Sequence, residues 1–292
     1  MTSLVIQTVV NALVSSSFAA LMAVGLVMIF GVMRVINFAH GELYMVGAYT
    51  VWYLYGENEL PFFVAVIAAI ALVGVVGLLM ERTLFRPMRG NPLGGLILSV
   101  GVLFILQVLA VIIGGRGLMK HIPPALEGQW DVFGIEGVSV PFQRLVVIGV
   151  AVFLLALLWL FLKRTKLGWA LRATAQDPEA ALLQGISINK ASLLAMGLGA
   201  ALAGAAGGIM APLVRVDPAM GHAAIITAFI VIIVGGIGSL EGAVVVAVLY
   251  TFFHTFVTTF LDGTLASIFG LVLLLVVLTI KPTGLFGKGE KH

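Results

Sequence analysis

Between an apolar run from Leu4 to Met33 and another from Leu43 to Tyr55 stands a short polar block, Ile36-Asn37-Phe38-Ala39-His40-Gly41-Glu42. Ionisable groups next to hydrocarbon are costly, and they mark either a route across the bilayer or a break in a helix. Two readings fit the block. Asn37, His40 and Glu42 line a route through the membrane at a helix break, or they form a satisfied polar turn where two helices meet at the cytoplasmic surface. The second is the expected one, because polar groups at membrane depth need partners whatever else they do. Arg34 is the expected ion-pair partner of Glu42, so Glu42→Gln is expected to cost folded yield. A proton relay through His40, with its ordinary pKa near 6.5, is the remaining chemistry these residues allow.

A second break, Gly235-Gly236-Ile237-Gly238-Ser239-Leu240-Glu241, has a similar layout: an apolar segment, a glycine-rich interruption, then a glutamate opening the next run. Gly235, Gly236 and Gly238 therefore join the candidate pathway residues, and the two breaks read as counterparts in an internal repeat. Glu241 also suits the positive end of its own helix dipole. A third cluster is of another kind. Asp177 before Pro178 is a helix N-cap followed by the residue favoured at the first helical position. Glu179-Ala180-Ala181-Leu182-Leu183-Gln184 then reads as a short helix stopped by Gly185. Such a helix between two spans is a rigid docking element.

Other chemistry is absent from the sequence. There is no phosphate-binding Gly-x-x-x-x-Gly-Lys-Ser/Thr loop, no His-Glu-x-x-His zinc pair and no Gly-x-Ser-x-Gly elbow. No catalytic or metal site is expected, and no cofactor; ATP-driven work would need an ATPase on another chain. The chain has no cysteine, which removes disulfides and thiolate sites.

The elements that carry these residues are membrane helices. Of 292 residues, 61% are hydrophobic and 10% charged, against about a quarter charged in soluble domains. Mean hydropathy is +1.17, and a water-soluble core is excluded. Candidate spans fall at 4–32, 38–56, 61–80, 93–114, 142–163, 190–212, 222–238, 240–261 and 264–281, about nine in all. Two of them, 38–56 and 222–238, are short or glycine-interrupted and read as half-helices or re-entrant segments. With no Lys or Arg before the first run, a cleaved signal is not expected. One all-α transmembrane domain over 1–292 is predicted.

Alternating the spans with the C-terminus inside puts twelve basic residues (34, 82, 86, 89, 163, 164, 166, 172, 190, 281, 288 and 291) in the cytoplasm and four (116, 120, 144 and 215) outside. The 163–190 segment is then cytoplasmic and the 115–141 loop extracytoplasmic. Ala200, Gly204 and Gly208, four apart, form a small-residue face for close helix packing. His254 among Thr251, Thr255, Thr258 and Thr259 reads as interhelical packing.

The stretch from Gly25 to Glu42 resembles the signature of branched-chain amino acid ABC transporter permeases of the LivH type. Glu179-Ala-Ala-Leu-Leu-Gln-Gly185 is similar to the cytoplasmic Glu-Ala-Ala-x-x-x-Gly loop of ABC importer permeases. Asp217-Pro218, Phe229 with Val234-Gly235-Gly236-Ile237-Gly238-Ser239, and Lys281-Pro282-Thr283-Gly284-Leu285-Phe286-Gly287 resemble later parts of the same family, so the likeness spans nearly the whole chain. It implies a type II-like importer permease in a bacterial inner membrane, in contact with lipid and not with nucleic acid. It further implies a second homologous permease, two cytoplasmic ATPases that dock on the Glu179–Gly185 helix and use the ATP, and an extracytoplasmic substrate-binding protein. Branched-chain amino acids are the expected cargo, although relatives carry other amino acids, urea, amides or aromatic acids. An ion- or proton-coupled carrier working alone, with His40, Glu42 and Glu241 as coupling groups, is the alternative.

Overall fold

A computed structural model describes residues 2–115, 120–131 and 139–287; the basic residues 116, 288 and 291 lie outside this range. The apolar runs fold as α1 (Thr2–Met33), α2 (His40–Val51), α3 (Phe62–Met80), α4 (Pro92–Gly114), α5 (Phe142–Arg164), α6 (Lys166–Gln176), α7 (Pro178–Leu183), α8 (Ile188–Met210), α9 (Met220–Gly235), α10 (Leu240–Phe260) and α11 (Gly263–Ile280). A wide π-helical turn, Trp52–Glu57, extends α2, and another, Glu81–Phe85, extends α3. Two three-residue strands, β1 (Gln129–Asp131) and β2 (Ser139–Pro141), pair antiparallel with Trp130 opposite Val140. Side-chain caps start several helices: Asn91 accepts from Gly94 N, Thr165 from Gly168 N, Ser187 from Lys190 N, Ser239 from Gly242 N and Asp262 from Thr264 N.

Seven helices among the described residues are long and apolar enough to cross a bilayer. The two segments that fall short, α9 and the α2 region, are those the glycines and polar residues interrupt. Large apolar side chains stand exposed along α3, α4, α5 and α11, including Ile67, Ile112, Phe153 and Leu275. Water would not tolerate such a surface; hydrocarbon does.

The bundle has two chemically different ends. At one lie β1, β2 and the start of α1, with Val140 packed on Ile6 and Val10. The bridge between Lys120 and Val216 is at the same end. At the other, α6 and α7 meet the end of α1 and the start of α8. The basic groups expected together in the cytoplasm gather there. Arg34 and Arg172 share a cavity, and Arg89 donates to Asn189. The buried Glu81 carboxylate accepts from Arg86 at 2.8 Å and from Arg89. This cluster, which the sequence reading missed, ties the end of α3 to the start of α8.

α1 and α8 form the centre and run in opposite directions. A Cβ on Gly25 would lie 2.8 Å from the Gly199 carbonyl oxygen, and one on Gly199 would lie 2.7 Å from that of Gly25. Gly41 and Gly221 approach each other in the same reciprocal way. Around these two points the packing repeats: α1 on α10 mirrors α8 on α3, α2 on α4 mirrors α9 on α11, and α2 on α3 mirrors α9 on α10. The helices α1–α4 and α8–α11 are thus inverted counterparts. This corrects the repeat expected from sequence. The counterpart of the 34–39 break is the 211–219 segment, not 235–241, which is a tight glycine turn (Gly236 φ 105°, Gly238 φ 93°) between antiparallel α9 and α10.

Candidate functional site

The 34–37 segment has no regular structure, Phe38–Ala39 turn into α2, and the whole runs back along the bundle. His40, the first residue of α2, donates from Nε2 to the Met22 carbonyl oxygen at 3.1 Å. Met22 lies eleven residues before the end of α1, roughly 16 Å along the axis. The break therefore does not sit as a turn at the bundle's end, as the sequence reading had it; it re-enters to the level of mid-α1. Phe38 packs edge-on against Phe229 of α9 at 5.1 Å. Asn37, buried, holds the turn into α2 by accepting from Ala39 N at 3.1 Å, and Ser99 Oγ of α4 accepts from Phe38 N at 3.1 Å. The backbone groups freed by the break are met by side chains of the break itself and of α4. His40 is fully enclosed, and a Cβ added at Gly25 would lie 3.2 Å from its ring, which makes it a packing and hydrogen-bonding residue.

Glu42 does not pair with Arg34. Arg34 is exposed, with φ 53°, at the start of the break. Glu42 is 0% exposed, and its Oε1 accepts from Gln107 Nε2 of α4 at 3.0 Å. Gln107 Nε2 also lies 3.2 Å from His222 Nδ1 in the first turn of α9. Gln107 and His222 were not singled out from the sequence, although a lone glutamine in an apolar span is a visible signal. The reason given for a yield loss in Glu42→Gln accordingly falls away. A glutamine carbonyl can accept from Gln107 as the carboxylate does, and no ion pair is broken. Glu42→Gln is expected to assemble at close to wild-type yield, read by size-exclusion chromatography of the detergent-solubilised protein; a yield cut several-fold would return Glu42 to a purely structural role.

A cavity of about 600 Å³ opens at the α6–α7 end, with Arg34, Arg172, Gln176, Gly238 and Glu241 among its lining. The start of the first break and the 235–241 turn thus meet on one space. The tail closes part of it: Leu285 N donates to Val234 O at 2.8 Å and Phe286 N to Gly235 O at 3.1 Å.

α7 stands apart from both. Asp177 ends α6 and begins α7, accepting from Glu179 N at 2.9 Å and Ala180 N at 3.0 Å. At the other end Gly185, φ 78°, donates to Leu182 O at 2.9 Å, and Ile186 N donates to Ala181 O at 3.0 Å. That pair of bonds is a Schellman closure. Both ends of a six-residue helix are therefore fixed. Ala181 packs inward at 3% exposure, while Leu182 and Leu183 are 58% and 86% exposed.

A sequence profile for the branched-chain amino acid transport system permease component matches residues 8–278. The chain belongs to this permease family. It is 34% identical to the high-affinity branched-chain amino acid transport system permease protein BraD of Pseudomonas aeruginosa, over 98% of this chain and 96% of that one. Identity to the Escherichia coli K12 permease LivH is 30% over the same shares. To the second E. coli permease, LivM, it is 26% over 91% of this chain and 67% of LivM. No solved structure matches. The permease is a multi-pass membrane protein.

Proposed function

We propose that this permease is one of two membrane subunits of an ATP-driven importer for branched-chain or related amino acids, and that α7 is the helix on which an ATPase docks. The observation that carries the docking reading is the exposed Leu182–Leu183 pair on a helix closed at both ends. Two adjacent leucines standing out from a polar, basic surface are costly to leave in water, and a rigid helix can transmit a push without bending. Asp177 joins α7 directly to α6, which packs on α1 and α8, so displacement of α7 reaches the cavity that Arg34 and Glu241 line.

The paired subunit would be a homologue, as the family's LivH and LivM names suggest. ATP would be bound by two partner chains, and a receptor outside would deliver substrate. The α6–α7 end is assigned to the cytoplasm because the basic groups gather there. Cysteines placed at Gln129 and Gln176, both exposed, in this cysteine-free chain test the orientation. An impermeant thiol reagent added to intact cells is expected to label position 129 and to spare 176; the reverse pattern overturns it. The importer reading is tested by reconstituting this chain with its candidate permease, ATPases and receptor in liposomes. Leucine uptake that requires ATP and the receptor is expected; uptake by this chain alone on an ion gradient would refute it.

A further inference from the structure

The cavity of about 600 Å³ at the α6–α7 end carries a chemistry that the docking of α7 does not use. Three spans end around it: α1 at Met33, α5 at Arg164 and α10 at Leu240. Its deeper lining is apolar, with Val27, Met28 and Leu162, and its charged groups are Arg34, Arg172 and Glu241. Neither arginine has an ion-pair partner among the described residues. Arg172 lies over the Trp169 ring at 5.4 Å, and its Nε is enclosed with no hydrogen-bond acceptor in the protein. An enclosed donor left unmatched is costly, and a guanidinium is a ready partner for an oxyanion. Arg34 holds φ 53°, a conformation strained for any residue with a Cβ. A glycine there would relieve the strain but would bring no guanidinium to the cavity. The first turn of α10 adds the positive end of its dipole beside Glu241.

The surroundings indicate the depth. Lys163 Nζ stands 4.4 Å over the ring of Trp159, and both Trp159 and Trp169 are exposed. Tryptophans with basic neighbours at the end of a span mark the level of lipid headgroups. α5 and α10, which flank the cavity, continue into apolar faces on which Leu160 and Leu249 are exposed. We propose that the cavity binds the headgroup of an anionic phospholipid, whose phosphodiester accepts from Arg34 and Arg172 while its acyl chains follow the apolar surface between α5 and α10. Charge selects the lipid. The two guanidiniums outnumber Glu241, so a net negative headgroup is favoured over a zwitterionic one, whose own cation would be set against the arginines. Free phosphate offers the same oxygens but nothing to the apolar wall. The site concerns lipid and not cargo, so it holds whatever the permease carries.

The experiment uses the full chain in detergent, titrated with phosphatidylglycerol and, in parallel, with phosphatidylcholine of the same acyl chains. Bound lipid is counted by native mass spectrometry, and affinity is read from the rise in thermal midpoint. Phosphatidylglycerol is expected to bind roughly tenfold more tightly or better, the worth of a hydrogen bond between charged groups. The double variant Arg34→Gly with Arg172→Gln is expected to erase that preference. If it assembles poorly, Arg172→Gln alone decides: a several-fold loss of preference supports the site, and an unchanged preference refutes it. Equal binding of the two lipids by the wild-type chain overturns the proposal. So does an equal loss of preference in Arg164→Gln, an exposed cation of the same end outside the cavity lining, because the attraction would then belong to a diffuse basic surface. Inorganic phosphate that raises the midpoint as much as the lipid would make this a free-anion site and overturn the lipid assignment. Arginine variants that keep the lipid preference but fail to retain the ATPases would overturn it as well, giving the arginines to the ATPase contact.

Discussion

Gly207→Ala, the addition of one methyl group, is expected to abolish recovery of the folded permease. A Cβ at Gly207 would overlap the carbonyl oxygen of Tyr44, with the Ala48 nitrogen 3.0 Å away. Those neighbours are backbone atoms of α2 and cannot rotate aside as a side chain would. Overpacking of an ordinary core costs about 1–3 kcal/mol, and here the strain falls on two helices already in backbone contact, so the expected cost is at or above that range. Gly101→Ala is the matched control. Nothing lies within 4 Å of its added Cβ, so helix propensity alone acts, with a gain of about 1 kcal/mol or less. Size-exclusion yield and the thermal midpoint in detergent read both. A Gly207→Ala protein with wild-type yield and midpoint would mean that α2 and α8 are not held this closely.

The second large effect is expected at α7. Leu183→Asp, on the most exposed leucine of the helix, puts a charge where an apolar contact with the ATPase is expected. It leaves the bundle untouched, because Leu183 is 86% exposed. Loss of a central apolar contact is worth about 2 kcal/mol or more, roughly thirtyfold in docking. Uptake and receptor-stimulated ATP hydrolysis should fall together, while the permease pair assembles normally. Gly185→Trp probes the same helix by another route. Open space surrounds the position, but φ 78° strains any residue with a Cβ, so the C-terminal closure of α7 should loosen and coupling should weaken. Full coupling in both variants would leave α7 as a connector only.

Much of this was legible from residue order because it is local. The apolar runs gave the spans, and Asp177-Pro178 with Gly185 gave both ends of α7 to within a residue. The interrupted stretches were recognisable as interrupted. What residue order could not supply were pairings between distant segments. Arg34 was the nearest cation to Glu42 in sequence, yet its partner is Gln107, 65 residues on. Arg89, which pairs locally with Glu81, similarly reaches across to Asn189, 100 residues on. The internal repeat was expected but its halves were mispaired, because they share packing geometry, seen in Gly25 with Gly199 and Gly41 with Gly221, without sharing a pattern of residues. Similar local composition at 36–42 and 235–241 pointed to the wrong counterpart.

The glycines along α8 also restrict how such a protein can move. Gly199 meets α1, Gly204 and Gly207 meet α2, and Gly204 also meets Val73 of α3. Each is a near-contact fitted to one position along the axis. Sliding any of these helices by a single residue, about 1.5 Å, would carry a side chain into a carbonyl on at least one side. The four helices therefore act as a stator. Freedom to shift is left to the parts held by larger, softer side chains, α4 and α5 with their exposed apolar faces, whereas α9 is tied to α2 by the reciprocal contact of Gly41 and Gly221.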